Sequence, residues 1–348
     1  MTSSSKHMQL TFDDVLIKPA DVSDITSRFD DKQCDPFVNR RCDSSLPVVS
    51  SPMDTIPSDE FLTATRNRIY VVFSHRFQSL WNQIDQVKHG AGAVIGLKTE
   101  REDIMLLVTA GARHLLLDVA NGGNVAVIKR LEQLQDLRAK GIKLWAGNVA
   151  DGTTYSALAL LCDYVRVGIG NGSACTTRVN TGVGVGSVSA LTACAWCRDD
   201  LARHGESPAK IVADGGIKTN GDICKELVAG ADLVMLGRVF AATNESAAPW
   251  IKTPWWKLFS KPTHKLYRGM ASKAINEEAG KDMSKVSIEG HQTTIRVQGS
   301  VAEVLDQIEA NLRSAMSYTN SHNLEEFHEA ELEQVSPSVY LEGLPHAK

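Results

Sequence analysis

The residue best placed to do covalent chemistry in this chain is a cysteine on a glycine-rich turn. It lies in Arg166-Val-Gly-Ile-Gly-Asn-Gly-Ser-Ala-Cys-Thr-Thr-Arg178, where an apolar run ends in small and hydroxyl residues. Glycines admit positive φ and let a backbone approach a ligand closely. Successive N–H groups in such a turn suit a phosphate or a polar base edge. Cys175 on that turn is presented as a nucleophile rather than packed as a small apolar residue. Taken alone, the loop reads first as a tight turn with an inert thiol. What surrounds it reverses that reading.

Short β-rich runs recur along the chain: 46–53, 69–74, 93–97, 114–119, 143–149, 163–170, 210–216 and 231–237. Their Val, Ile and Leu are nearly unbroken, the pattern of strands buried on both faces. Amphipathic stretches lie between them, clearest over Val125–Leu137 and Asn220–Gly230. Eight strand–helix units predict an α/β fold closed as a (β/α)8 barrel. A doubly wound open sheet is the alternative, disfavoured because no G-x-G-x-x-G follows the first strand. Polar residues collect at the strand ends: Ser51-Pro-Met-Asp54, His75-Arg76, Asp118-Val-Ala-Asn121, Gly147-Asn148, Cys175, Asp214-Gly-Gly216 and Gly237-Arg238. In this fold the carboxyl ends of the strands face the active site.

The bulk properties narrow the classes. The chain has 348 residues, 43% hydrophobic and 22% charged, with a formal net charge of −4. That fits a soluble globular protein and does not indicate a nucleic-acid surface. No apolar run is long enough for a membrane span. The polar start has no apolar signal-peptide core, and the seven scattered cysteines form no disulfide framework. A reducing, cytoplasmic setting is expected. Cys194 and Cys197 form a lone C-x-x-C on an expected helix, which reads as packing rather than zinc. One domain is expected over 1–348. It includes an interruption at 245–265 (Trp250, Trp255, Trp256) suited to an insertion or oligomer contact. A mobile flap is expected over 273–298, then a helix over Val301–Met316 and a peripheral tail over 325–348.

The motifs S-P-M-D, D-V-A-N-G, A-G-N-V, V-G-I-G-x-G-S-x-C-T-T-R, T-G-V-G, A-D-G-G-I, Y-R-G-M and L-R-S occur in one order between about residues 8 and 327. Together they resemble the IMP dehydrogenase/GMP reductase family. The resemblance implies a (β/α)8 barrel, here without an inserted regulatory module, and a homotetramer. It implies a purine nucleoside monophosphate substrate, bonded covalently from Cys175 to purine C2. By the same resemblance Asp214 would bind the ribose, and Gly215 would belong to the substrate site. Ser173, Gly216 and Gly237 would cradle the 5′-phosphate. Met270 and Gly290 would meet the base, with Met53 packed beside it, and Gly269 and Ala271 would belong to the substrate site. Asp118, Val119, Ala120, Asn121, Ile169, Gly170, Met270 and Ser314 would serve a nicotinamide dinucleotide, and Arg76 the 2′-phosphate of NADPH. Carbonyls of Gly170, Gly172 and Cys175 would suit a potassium ion, as in some relatives.

The family contains two chemistries. A dehydrogenase uses an Arg-Tyr pair on its flap to activate water, and between Ser272 and Glu289 this sequence has neither residue. A reductase uses a Thr–Glu relay to protonate a leaving amine, and Thr177 with Glu289 match it. D-V-A-N-G is also the reductase spelling, whereas Y-R-G-M is nearer the dehydrogenase one. The expectation is an NADPH-dependent GMP reductase. The alternatives are an IMP dehydrogenase, a reductase of a deoxy or modified purine nucleotide, and a sensor without turnover. The chain departs from the family at several places. Asn171 replaces a proline, Ala310-Asn311 replace two glycines, and His75-Arg76 replace a lysine-containing stretch. Arg238 replaces a small residue, and its guanidinium either pairs with the phosphate or signals an altered substrate.

Overall fold

The structure, a computed structural model, describes residues 8–38, 45–75, 77–251, 262–278, 282–285 and 287–343. Eight parallel strands carry the architecture: β1 (Leu46–Ser50), β2 (Ile69–Val71), β3 (Ala93–Ile95), β4 (His114–Leu117), β5 (Lys143–Val149), β6 (Tyr164–Val167), β7 (Lys210–Asp214) and β8 (Leu233–Leu236). Their order in the sheet is β2-β1-β8-β7-β6-β5-β4-β3. The two ends meet through a parallel bridge between Phe73 and Gly92. There Gly92 N–H donates to Val72 O at 2.8 Å, and Ser74 N–H donates to Gly92 O at 3.0 Å. A Cβ at residue 92 would lie 2.7 Å from the Phe73 ring, so this seam needs glycine. The sheet thus curls into a (β/α)8 barrel with helices alternating along its outside.

Each strand falls inside its expected run, but most stop short of its carboxyl end. Gly168, Gly170, Gly215 and Gly216 adopt φ of 141°, 75°, 95° and 95°, which ends the ladder and turns the chain over the barrel mouth. The helix expected over Val125–Leu137 is two helices, Val125–Gln133 and Gln135–Ala139, broken at Leu134 (φ −101°, ψ 0°). Cys194 and Cys197 lie on the helix Ser187–Arg203. Cys194 is buried, and Cys197 Sγ fills the space over Gly152, where a Cβ would lie 2.4 Å away.

The expected flap and the expected peripheral tail each contain paired strands among their described residues. Within 273–298, Gln292–Arg296 pairs antiparallel with His264–Arg268, and Ile275 and Ile295 are buried. In the tail, Leu324 and Phe327 are buried, and Leu332–Gln334 pairs antiparallel with Val15–Ile17 near the other chain end. Of the Trp-rich interruption, residues 252–261 lie outside the described residues. Trp250 stacks under the Lys265 ammonium at 4.7 Å from the ring centroid. Among the described residues no helix is long and apolar enough to cross a membrane.

Inside the barrel, Val49, Val71, Phe73, Val94, Leu116, Trp145, Tyr164, Val212, Leu233 and Met235 form one cluster. Trp145 and Tyr164 stack at 3.9 Å, and Trp145 Nε1 donates to His114 Nδ1 at 3.1 Å. Burial pushes the His114 imidazole down to about 4, so it stays neutral and able to accept. Between that value and the ordinary 6.5, the unfolded chain binds the extra proton, so stability falls as pH drops through this window. Between pH 7 and pH 4 the wild-type chain should lose up to about 3 kcal/mol more stability than His114→Asn. Urea midpoints across that range test this. Parallel pH curves for the two proteins would remove His114 as the cause.

Candidate functional site

The loop after β6 is shaped by its glycines. A Cβ at Gly168 would lie 2.2 Å from Asp214 O, and one at Gly170 would lie 2.6 Å from Arg178 Cγ. Arg178 clamps the loop from below, its Nε donating to Ile169 O at 3.2 Å and its Nη2 to Val185 O at 2.5 Å. Asn171 uses its amide. Nδ2 donates to Gly215 O at 3.0 Å and Ser187 Oγ at 3.2 Å, binding the cysteine loop to the turn after β7. Gly172 O accepts the Cys175 N–H at 2.9 Å, which presents the half-buried Cys175 at the mouth.

A second segment completes the site. Residues 288–291 bridge the cysteine loop and the turn after Arg268: Cys175 pairs with Gly290, and Ser272 pairs with Gly290 from the other side. Thr176 N–H donates to Glu289 O at 2.8 Å, and His291 N–H donates to Ala174 O at 3.0 Å. The Glu289 side chain is thereby brought to the cysteine. Cys175 Sγ–H donates to Thr177 Oγ1 at 3.1 Å, and Thr177 Oγ1–H donates to Glu289 Oε2 at 2.6 Å. The three side chains form one directed line from thiol to carboxylate.

The floor of the mouth is charged. Arg166, on β6, points inward and is 8% exposed. Its Nη1 donates to Asp118 Oδ1 at 2.9 Å, while its Nη2 and Nε donate to Asp214 Oδ2 at 2.8 and 3.1 Å. Burial opposes the guanidinium charge, but Asp214 and Asp118 outweigh it and hold the group more firmly protonated than usual. Asn148 Nδ2 also donates to Asp214 Oδ2, at 2.8 Å. All three donors converge on Oδ2, so Oδ1 is the Asp214 oxygen left for a ligand. Elsewhere in the lining Tyr267 OH contacts Met53 Sδ at 3.6 Å and Ser173 Oγ at 3.5 Å. Arg268 Nε donates to Asp54 Oδ2 at 2.7 Å behind it.

These groups surround one cavity of about 300 Å³, at the small end of the ligand-pocket range. Most of the residues singled out from sequence line it. They are Met53, Asp118, Val119, Ala120, Ile169, Gly170, Gly172, Ser173, Cys175, Thr177, Asp214, Gly215, Gly216, Gly237, Arg238, Gly269, Met270, Ala271 and Glu289. Gly290 stands behind the wall, paired to Cys175. Asn121 is exposed and caps its own turn, accepting from Gly123 N–H at 2.9 Å. Ser314 is away from the cavity on the helix Val301–Tyr318, accepting from Arg28 Nη1 at 2.7 Å. Arg76 lies outside the described residues. Sequence reasoning left Arg166, Asn148 and Tyr267 without roles. The signal for Arg166 was an arginine inside an otherwise apolar strand run, where an unpaired charge would be too costly.

Removing the guanidinium would leave two carboxylates facing each other in a buried space. Arg166→Gln should destabilise the fold by about 3–5 kcal/mol at pH 8. The deficit should shrink by pH 5, because the juxtaposed carboxylates then take up protons more readily than in the unfolded chain. Chemical denaturation at both pH values checks this; an equal deficit at each would mean that packing, not charge, is what was lost.

A family model described as the IMP dehydrogenase / GMP reductase domain matches residues 9–346. The chain is 36% identical over 273 residues to the inosine-5′-monophosphate dehydrogenase of Staphylococcus saprophyticus subsp. saprophyticus, covering 74% of this chain and 53% of that protein. It is 35% identical, with the same coverage, to the enzyme of that name from Staphylococcus aureus strain Mu50. The chain therefore spans about half the length of these curated relatives. With a closed eight-stranded barrel and a cysteine loop at its mouth, the chain belongs to the IMP dehydrogenase / GMP reductase domain family.

Proposed function

We propose that the chain is a GMP reductase, converting GMP to IMP and ammonia with a hydride from NADPH. The observation that carries this reading is the line from Cys175 through Thr177 to Glu289. As Cys175 attacks purine C2, its proton passes by way of Thr177 toward the Glu289 carboxylate. Delivered from Glu289 through the Thr177 hydroxyl to the C2 amine, that proton makes the amine a neutral leaving group, and its loss as ammonia leaves a thioimidate on Cys175. Such positioned proton transfer contributes about 10²–10⁴-fold. NADPH, when bound, would supply the hydride that C2 needs; Cys175 then leaves as a thiolate, takes up a proton from solvent, and IMP is released.

The remaining residues bind and orient. Asp214 Oδ1 accepts from the ribose hydroxyls, held in place by Arg166 and Asn148. Ser173 and Tyr267 offer hydroxyls to the same cavity, with Gly237 against the Tyr267 hydroxyl. The Asp118–Ala120 wall is the place for the nicotinamide end, since it opens onto the same cavity as Cys175. A potassium ion would draw on the turn carbonyls of Gly170, Gly172 and Cys175; that of Gly172 already accepts the Cys175 N–H.

A second reading is an IMP dehydrogenase, favoured by the names of the Staphylococcus relatives and the Tyr267-Arg-Gly-Met270 spelling. Purified protein with GMP and NADPH should lower absorbance at 340 nm and release one ammonia per hydride. NADH formation from IMP and NAD, with no activity in the first assay, would decide for the dehydrogenase.

Two variants test the roles within the reductase reading. Cys175→Ser should abolish turnover while nucleotide binding persists, because a serine hydroxyl is not ionised unaided. Glu289→Gln should cut kcat by about 10²–10⁴-fold with little change in nucleotide affinity. Retained turnover in either variant would remove that residue from the mechanism.

A further inference from the structure

Five charged side chains line the cavity: Asp118, Arg166, Asp214, Arg238 and Glu289. Arg166 is engaged by Asp118 and Asp214, and Glu289 accepts from Thr177. Arg238 is different. Its side chain has no hydrogen-bond or ion-pair partner among the described residues. With formal charges, the cavity holds three carboxylates and two guanidiniums, a net −1. An anionic ligand entering it meets Arg238 as the one cation whose charge is not already spent.

The surroundings of Arg238 match an anion. It follows Gly237, whose missing side chain leaves room against Tyr267 OH and Met53 Sδ, where a Cβ would lie 3.2 and 3.3 Å away. The Tyr267 hydroxyl is buried, which raises its pKa, while Ser173 and the Arg238 charge act the other way. Ser173 Oγ lies 3.5 Å from Tyr267 OH, Gly237 abuts that hydroxyl, and Arg238 follows Gly237, so all three side chains belong to one part of the cavity lining. Two hydroxyls and a forked guanidinium are a donor set for a doubly charged phosphate.

We propose that Arg238 is a specificity-determining residue that reads the dianionic phosphate of the nucleotide by charge. Family resemblance expects a small residue at this position and recognition by backbone N–H groups. This chain adds a side-chain cation. The inference rests on the nucleotide reading of the site, but not on which of the two reactions the chain performs.

A phosphate monoester takes up its second proton near pH 6, so a site that reads the second charge weakens as pH falls through that region. Calorimetric titration of the full chain with GMP and IMP, at pH 5.5 and 7.5 and at low and high salt, measures this. The wild-type protein should lose affinity at pH 5.5 and in salt. Arg238→Ser should bind nucleotide roughly 10–100-fold more weakly and with flatter pH and salt dependence. Arg238→Lys should recover part of the affinity. Equal nucleotide affinity and equal pH dependence in wild type and Arg238→Ser would overturn the proposal. A wild-type chain that binds neither nucleotide would overturn it together with the nucleotide reading. Tight, Arg238-dependent binding without turnover would support this proposal while sinking the reductase.

Discussion

A guanidinium held between two carboxylates in the mouth of the barrel is the interaction on which the site depends. A charge as deeply buried as that of Arg166 is tolerable only where its partners are fixed and its donors used. Asp118 follows β4 and Asp214 ends β7, so the contacts of Arg166 tie three strand ends across the mouth. The arrangement also orients a ligand group. With Oδ2 saturated by Arg166 and Asn148, the Asp214 carboxylate cannot rotate freely, and its other oxygen keeps one direction. The two carboxylates on the floor are thus linked through one side chain.

The second constraint is a matter of backbone. Glu289 reaches Thr177 because residues 288–291 lie as a short rung between the cysteine loop and the turn at 269–272. That rung needs glycine on both sides. A Cβ at Gly290 would sit 2.9 Å from Ser272 N, and one at Gly269 would sit 2.7 Å from Ala174 O. The placement of the acid therefore comes from main-chain pairing more than from packing of its side chain. A segment poor in core residues can still hold a carboxylate in register this way.

The barrel was legible because each strand is buried on both faces and written as an apolar run. Its strand ends were less so, since the glycines that stop the ladder look, in sequence, like continuations of it. Residues inside compact motifs, such as Cys175, Thr177 and Asp214, came out together. Arg166 did not, because both its acidic partners are 48 residues away in opposite directions. The pairing of Val15–Ile17 with Leu332–Gln334 was equally hidden, three-residue strands being too short to show a period. Asn121 and Ser314 carried roles by motif alone, and in the folded chain their side chains are engaged elsewhere.

The direction of the hydrogen bonds bears on the chemistry more than the identity of the residues does. Thr177 donates to Glu289 and accepts from Cys175, so a proton leaving the thiol has a path to the carboxylate. In the proposed reaction it becomes an acid only by receiving the proton that the thiol gives up on attacking the purine. Forming the nucleophile and loading the acid are then one event, and the acid is ready only when an amine is about to leave. A water molecule needing activation would find the opposite situation, since by then the carboxylate has already been protonated. In the proposed reaction, expulsion of the amine would follow from the attack that precedes it, whereas hydrolysis would require a base from outside these three groups.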